Sequence, residues 1–131
     1  MAIRDKNIDK NSGNANFAQQ IVALRNGPQT PASQTDLEVM SVRLPWAGKF
    51  LSAHVFCRAK SGTVTAKIHK NAATILTGDI TPVAGAQTAG TLASTTTFAA
   101  GDELQLLVTT AGASTVDDLV ATVILRPNLQ D

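Results

Sequence analysis

Tyrosine is missing from this 131-residue chain, cysteine and tryptophan occur once each, histidine twice, and only 16% of residues carry charge. The lone Cys57 excludes an intramolecular disulfide framework and fits folding in a reducing cytoplasm. With one Trp, four Phe and no Tyr, the chain is poor in the aromatic platforms that stack bases or pyranose rings, which counts against a nucleic-acid surface and a sugar cleft. A net charge of +1 gives no bulk attraction to nucleic acid or an anionic membrane. No apolar run reaches the length of a membrane span, and the start, Met1 to Asn7, lacks the apolar core of a signal peptide. The expectation is a soluble protein made in the cytoplasm. Gly85, Gly90, Gly101 and Gly112 never fall into the spacing of a phosphate-binding loop.

What is present is small and apolar: 20 Ala, 16 Thr and 44% hydrophobic residues, in a length suited to one core. Residues 1 to 14 are polar and read as a loose arm. Between Asn16 and Arg25, the spacing of Phe17, Ile21, Val22 and Leu24 fits one face of a short helix. Asn26-Gly27-Pro28 ends it, and Gln29 to Gln34 continues as a linker. This predicts an arm and linker over 1–36 and a folded domain over 37–131.

After Asp36 the period becomes two. Met40, Val42 and Leu44 alternate with polar neighbours up to the turn Pro45-Trp46-Ala47-Gly48. In Phe50 to Ala59, Leu51, Ala53, Val55 and Cys57 share one side, while Phe50, Ser52, His54 and Phe56 share the other. Thr63 to His69 alternates likewise, and Lys60-Ser61-Gly62 predicts a hairpin joining the two. Short extended pieces follow near Thr74–Thr77, Ile80–Val83 and Thr91–Thr97, and the plainest strands are Glu103–Thr110 and Asp118–Arg126. About eight short strands with frequent turns predict an all-β, antiparallel sandwich or jelly roll with an extended N-terminal arm.

Few residues invite a chemical reading. If the predicted hairpin forms, His54 falls near Ile68 or His69, but the two imidazoles lack the further ligands a metal needs. Cys57 sits between Val55 and Ala59 on the apolar side, a core position rather than a nucleophile's. Asp102-Glu103 and Asp117-Asp118 pair carboxylates as a calcium site would, yet both stand at strand starts, where Asp caps a turn. Arg58, Lys60, Lys67 and Lys70 form a basic stripe around one hairpin, without aromatics to accompany it. No enzyme activity, metal, cofactor or small-molecule substrate is expected.

Three stretches carry a resemblance: Leu44-Pro45-Trp46-Ala47-Gly48-Lys49-Phe50, Ile68-His69-Lys70-Asn71-Ala72-Ala73-Thr74-Ile75-Leu76 and Phe98-Ala99-Ala100-Gly101-Asp102-Glu103-Leu104. Pro45 fixes φ, and Gly48, Asn71 and Gly101 are suited to left-handed turn positions. Together, over about residues 38–126, they resemble the small jelly-roll virion proteins of tailed bacteriophages, most of all the capsid decoration (cement or head-fibre) proteins. The hairpin departs from the commoner form in having Ala72 where Gly usually follows Asn. The resemblance implies a homotrimer that binds the major capsid protein on the outer surface of a phage head and stabilises it, made in the host bacterial cytoplasm. It places arm docking on Phe17, Ile21, Val22 and Leu24, and subunit contact on Trp46, Phe50 and Phe56. The alternative it leaves open is a tail or baseplate module that binds receptor glycans.

Overall fold

Period-two alternation past residue 36 becomes strand, and so does part of the stretch before it. The computed structural model describes residues 19–26, 29–30, 32–94 and 96–128, and among them it contains strands and no helix. In chain order these are β1 (Gln20–Arg25), β2 (Gln29–Thr30), β3 (Gln34–Arg43), β4 (Gly48–Phe56), β5 (Ala59–Ser61) and β6 (Val64–Lys70). They continue as β7 (Ala73–Thr74), β8 (Gln87–Gly90), β9 (Thr97–Phe98), β10 (Glu103–Thr110), β11 (Thr115–Asp117) and β12 (Val120–Pro127). The excess over the expected eight comes from pieces of two to four residues.

Two antiparallel sheets face each other. One runs β9-β4-β12-β1, with β8 pairing β4 beyond the end of β9; the other runs β3-β10-β6-β7. A small ladder, β2-β11-β5, closes one end. Alternation decides what meets in the middle: Leu104, Leu106 and Val108 of β10 with Val64, Ala66 and Ile68 of β6 bury against the side of Ala53, Val55, Ala121, Val123 and Leu125. Each fully buried Leu or Phe is worth about 1.5–3 kcal/mol, so this layer holds the sheets together with no disulfide.

Four expectations are corrected. The Asn16–Arg25 helical face is instead β1, an edge strand paired to β12 from Val120↔Arg25 to Leu125↔Gln20. Apolar residues at 21, 22 and 24 satisfy either period over so short a run, and the open edge of β12 decides for the strand. The boundary after residue 36 consequently fails, because β1, β2 and the start of β3 belong to the sandwich. The part of the arm before residue 19, with Phe17, lies outside the described residues.

The predicted hairpin around residues 60–62 does not form either. β4 and β6 lie in opposite sheets, and the chain between them crosses the sandwich end through β5, which pairs β11. Both strands bury alternate residues, but from opposite sides of one core, a distinction that alternation cannot express. Finally, Phe50 faces inward. The β4–β12 register slips between Ile124↔Ser52 and Leu125↔Phe50, so Leu51 is an extra residue and Phe50 returns to the side of Ala53 and Val55. It is 2% exposed and lies 4.8 Å, centroid to centroid, from Phe98.

Candidate functional site

The three motif stretches converge at one end of the sandwich. β6 and β7 form the expected hairpin, with Asn71 and Ala72 at φ 51° and 70° as its two central residues. Gly101 takes the left-handed position expected of it, at φ 92°. Gly48 has a different reason to be glycine: a Cβ there would collide with the Arg126 carbonyl and the Phe98 ring.

Hydrogen bonds lock these turns together. The Ala99 N–H donates to Asp102 Oδ2 at 2.8 Å, and Asn71 Nδ2 donates to Asp102 Oδ1 at 2.9 Å. The Glu103 N–H reaches Asn71 Oδ1 at 2.9 Å, and the Ala72 N–H reaches Gln105 Oε1 at 2.7 Å. Leu44 joins through its N–H to the Asp102 carbonyl at 2.8 Å and accepts the Gly101 N–H at 2.6 Å. Arg43 Nη1 donates to the Gly101 carbonyl at 2.8 Å, and Lys70 Nζ to the Thr97 carbonyl at 2.7 Å. The Ala99 N–H, and then the Asn71 amide, hold the Asp102 carboxyl below the usual carboxylate range. Such a carboxylate is a turn pin, its lone pairs committed to neighbours. Trp46, 37% exposed, stands at this end among fastened turns.

The other candidates separate. His54 lies opposite Thr122 and Ala89 in the five-stranded sheet, while His69 lies opposite Gln105 and Thr74 in the four-stranded one, so they do not meet. Burial, and then the charge of Lys67, push His69 below its ordinary pKa. Cys57 is fully buried, and burial raises its thiol pKa, the reverse of nucleophile activation. At the far end, Asp118 accepts Arg25 Nε and Nη2, each at 3.0 Å, and Asp117 Oδ2 faces Arg58 at 3.5 Å. Asp117 also lines a shallow cavity of about 180 Å³ with Ala59, Lys60, Ser61 and Thr115. Among the described residues, no three His, Cys, Asp or Glu side chains gather as metal ligands. The basic stripe divides between this end and the four-stranded sheet, where Lys67 pairs Asp36 at 2.9 Å.

The outer faces of the sheets differ in kind. On the four-stranded sheet the outer rows are polar: Arg43 beside Glu103, and Ser41, Gln105 and His69 side by side, with Glu38 and Lys67 flanking Leu107. Gln105 Nε2 donates to Glu38 Oε1 at 2.6 Å, and Lys67 bonds Asp36. On the five-stranded sheet the outer rows are Ile21–Ile124–Ser52, Ala23–Thr122–His54–Ala89 and Arg25–Val120–Phe56–Gln87. A fourth row, Arg126–Lys49–Thr97, exposes two cations; within the first three rows Arg25 is the one formal charge, and Asp118 pairs it.

The residues singled out from sequence are scattered by this arrangement. Leu24 is fully buried and Val22 packs on the same core, so both belong to the body rather than to a docking arm. Ile21 is 70% exposed on the five-stranded face, where Phe56 also lies. Phe50 is withdrawn into the core and cannot make the subunit contact expected of it. Sequence reading overlooked Val120 and Ile124 on that face, and Met40 and Val42 on edge strand β3. The signal was there: Leu119 to Leu125 is apolar throughout except for Thr122, the composition of a strand covered on both faces.

No known family's sequence profile matches the chain, and no curated protein matches it. Among solved structures it is similar to a subunit from a study titled "Bacillus endospore appendages form a novel family of disulfide-linked pili" (15% identity, TM-score 0.43, 83% of this chain and 89% of that one). It is also similar to the Podospora anserina GH26-CBM35 β-(1,4)-mannanase (12% identity, TM-score 0.42), spanning 85% of this chain but 28% of the mannanase. A third is dimeric latent PorU from Porphyromonas gingivalis, at 14% identity and TM-score 0.35, with 84% of this chain and 13% of that one covered. The first two of these distant likenesses are to β-sandwich proteins, and none of the three speaks for a phage origin.

Proposed function

We propose that this chain is a non-enzymatic structural module that fastens to an assembled protein shell, in the manner of the phage capsid decoration proteins that its turn motifs resemble. In this reading it acts as a homotrimer on the outer surface of a virion head, binds the major capsid protein and holds neighbouring capsid subunits together. The supporting observation is the use of polar groups at the motif end. Asp102, Asn71, Gln105, Arg43 and Lys70 are engaged in closing turns, and Trp46 projects there beside exposed Lys49 and Arg126. Such a surface joins apolar burial, at about 25 cal/mol per Å² before ordering costs, to two cations.

The start of β1 lies at the same end, since Gln20 pairs Leu125, next to Arg126↔Lys49. In this reading the sequence before it, with Phe17, docks on the shell. Co-sedimentation of the purified chain with undecorated capsids tests the reading. Saturable pelleting, weakened at least tenfold by Trp46→Ala and by removal of residues 1–18, is the expected result; full-length chain left in the supernatant overturns it. A tail or baseplate module stacking a sugar on Trp46 is the competing reading, and a Trp46-dependent hit on a glycan array would favour it.

A further inference from the structure

The outer face of the five-stranded sheet carries a cluster of exposed apolar side chains. Val120 and Ile124 occupy its central strand and Ile21 and Phe56 flank them at 70% and 37% exposure; among these rows the one formal charge, Arg25, is paired by Asp118, and the cations Lys49 and Arg126 stand in the row beyond. From Val120 to Leu125, Thr122 apart, β12 is apolar on both sides, a pattern normal for strands covered on both faces, and only its inner side is covered within one chain. The opposite sheet carries the charged network expected of a face in water, so the asymmetry belongs to this face and not to the composition.

A second apolar patch lies elsewhere. Met40 and Val42 sit on the core side of edge strand β3, opposite Leu106 and Leu104, yet they remain 40% and 37% exposed. The same strand leads on to Trp46. Area decides how such patches are used. Four strands spaced about 4.8 Å apart and five residues at about 3.3 Å each give the sheet face a footprint on the order of 300 Å². Two copies joined by that face alone would hide on the order of 600 Å² in total, short of the roughly 1,000 Å² a specific interface needs. A closed ring is different, because each copy then makes two contacts and uses both patches.

We infer that copies of this chain meet edge to face: the Met40–Val42 edge of one packs on the Ile21–Ile124–Phe56 face of the next, closing into a small ring. The inference deepens the proposed function by assigning surfaces to its subunit contact, and it rests on that reading only for the number of copies, three.

The test is cross-linking between differently marked full-length chains with a short thiol-specific linker, alongside mass in solution. Phe56→Cys and Val42→Cys chains, mixed, should cross-link to each other, while neither cross-links to itself when alone; the native Cys57 is buried and serves as the background control. Ile21→Lys, at a site so exposed that folding should tolerate it, should leave monomers with an unchanged circular dichroism spectrum. Leu107→Lys, on the polar sheet, should leave the assembly intact. Self-cross-linking of either cysteine variant, no cross-linking in the mixture, or a wild-type chain that is monomeric at all concentrations overturns the inference. A monomer that still pellets with capsids would defeat this contact and leave shell binding standing.

Discussion

At φ 70°, Ala72 holds a backbone conformation in which its Cβ crowds the following carbonyl, a cost of about 1–2 kcal/mol that glycine escapes. Glycine's greater freedom in the unfolded chain offsets part of that, so Ala72→Gly should stabilise the protein by about 0.5–1 kcal/mol, read as a higher urea midpoint with an unchanged slope. The sequence itself pointed here, since Ala stands where the Asn turn usually has Gly. Asp102 acts at the same turn. Its folded pKa lies below the ordinary 3.8, so its stabilising bonds are fully present above that value and are lost as pH falls through the lower, folded-state value. Asp102→Asn should therefore give a shallower acid limb in a plot of thermal midpoint against pH. The two exposed-looking phenylalanines of β4 should part company. Phe50→Ala opens a cavity beneath Phe98 and should cost about 3–5 kcal/mol, whereas Phe56→Ala should cost under about 1 kcal/mol and weaken self-association instead. Chemical denaturation of both variants checks the contrast.

Among the elements, β10 was legible to the residue, because Leu104, Leu106 and Val108 fall at alternate positions, with Leu107 the one apolar residue between them, and Gly101-Asp102 marks the start. The β6–β7 hairpin was legible for the same reason, its turn residues being chemically distinctive. Three other features were not. Alternation reports that a strand has a buried side but not which sheet it joins, so β4 and β6 looked like a hairpin. A one-residue bulge at Leu51 inverted the facing of Phe50, and nothing local in Lys49-Phe50-Leu51-Ser52 announces it. β1 was hidden because six residues are too few to separate a period of two from one of 3.6. As a strand at the sheet margin, β1 still contributes Leu24 to the core. Leu24→Ala should cost about 2–5 kcal/mol in global stability, measured by thermal or urea unfolding, a loss that a detachable docking arm would not show.

For the whole molecule, the motif end of the candidate site was readable from sequence, since its three stretches carry recognisable turn chemistry. Their meeting in space was not readable, nor was the apolar sheet face, whose rows come from β1, β4, β8 and β12 across more than a hundred positions of sequence. Only the run Leu119 to Leu125, apolar except for Thr122, hinted at it. A sandwich with an exposed apolar cluster on one face and an apolar edge has surface to hide, and association with its own kind is the most economical cover. Sedimentation equilibrium of the full-length chain over a range of micromolar concentrations tests this most directly. The expected result is a single species of three times the 13.6 kDa chain mass; a monomer throughout, with the five-stranded face left in water, would contradict it.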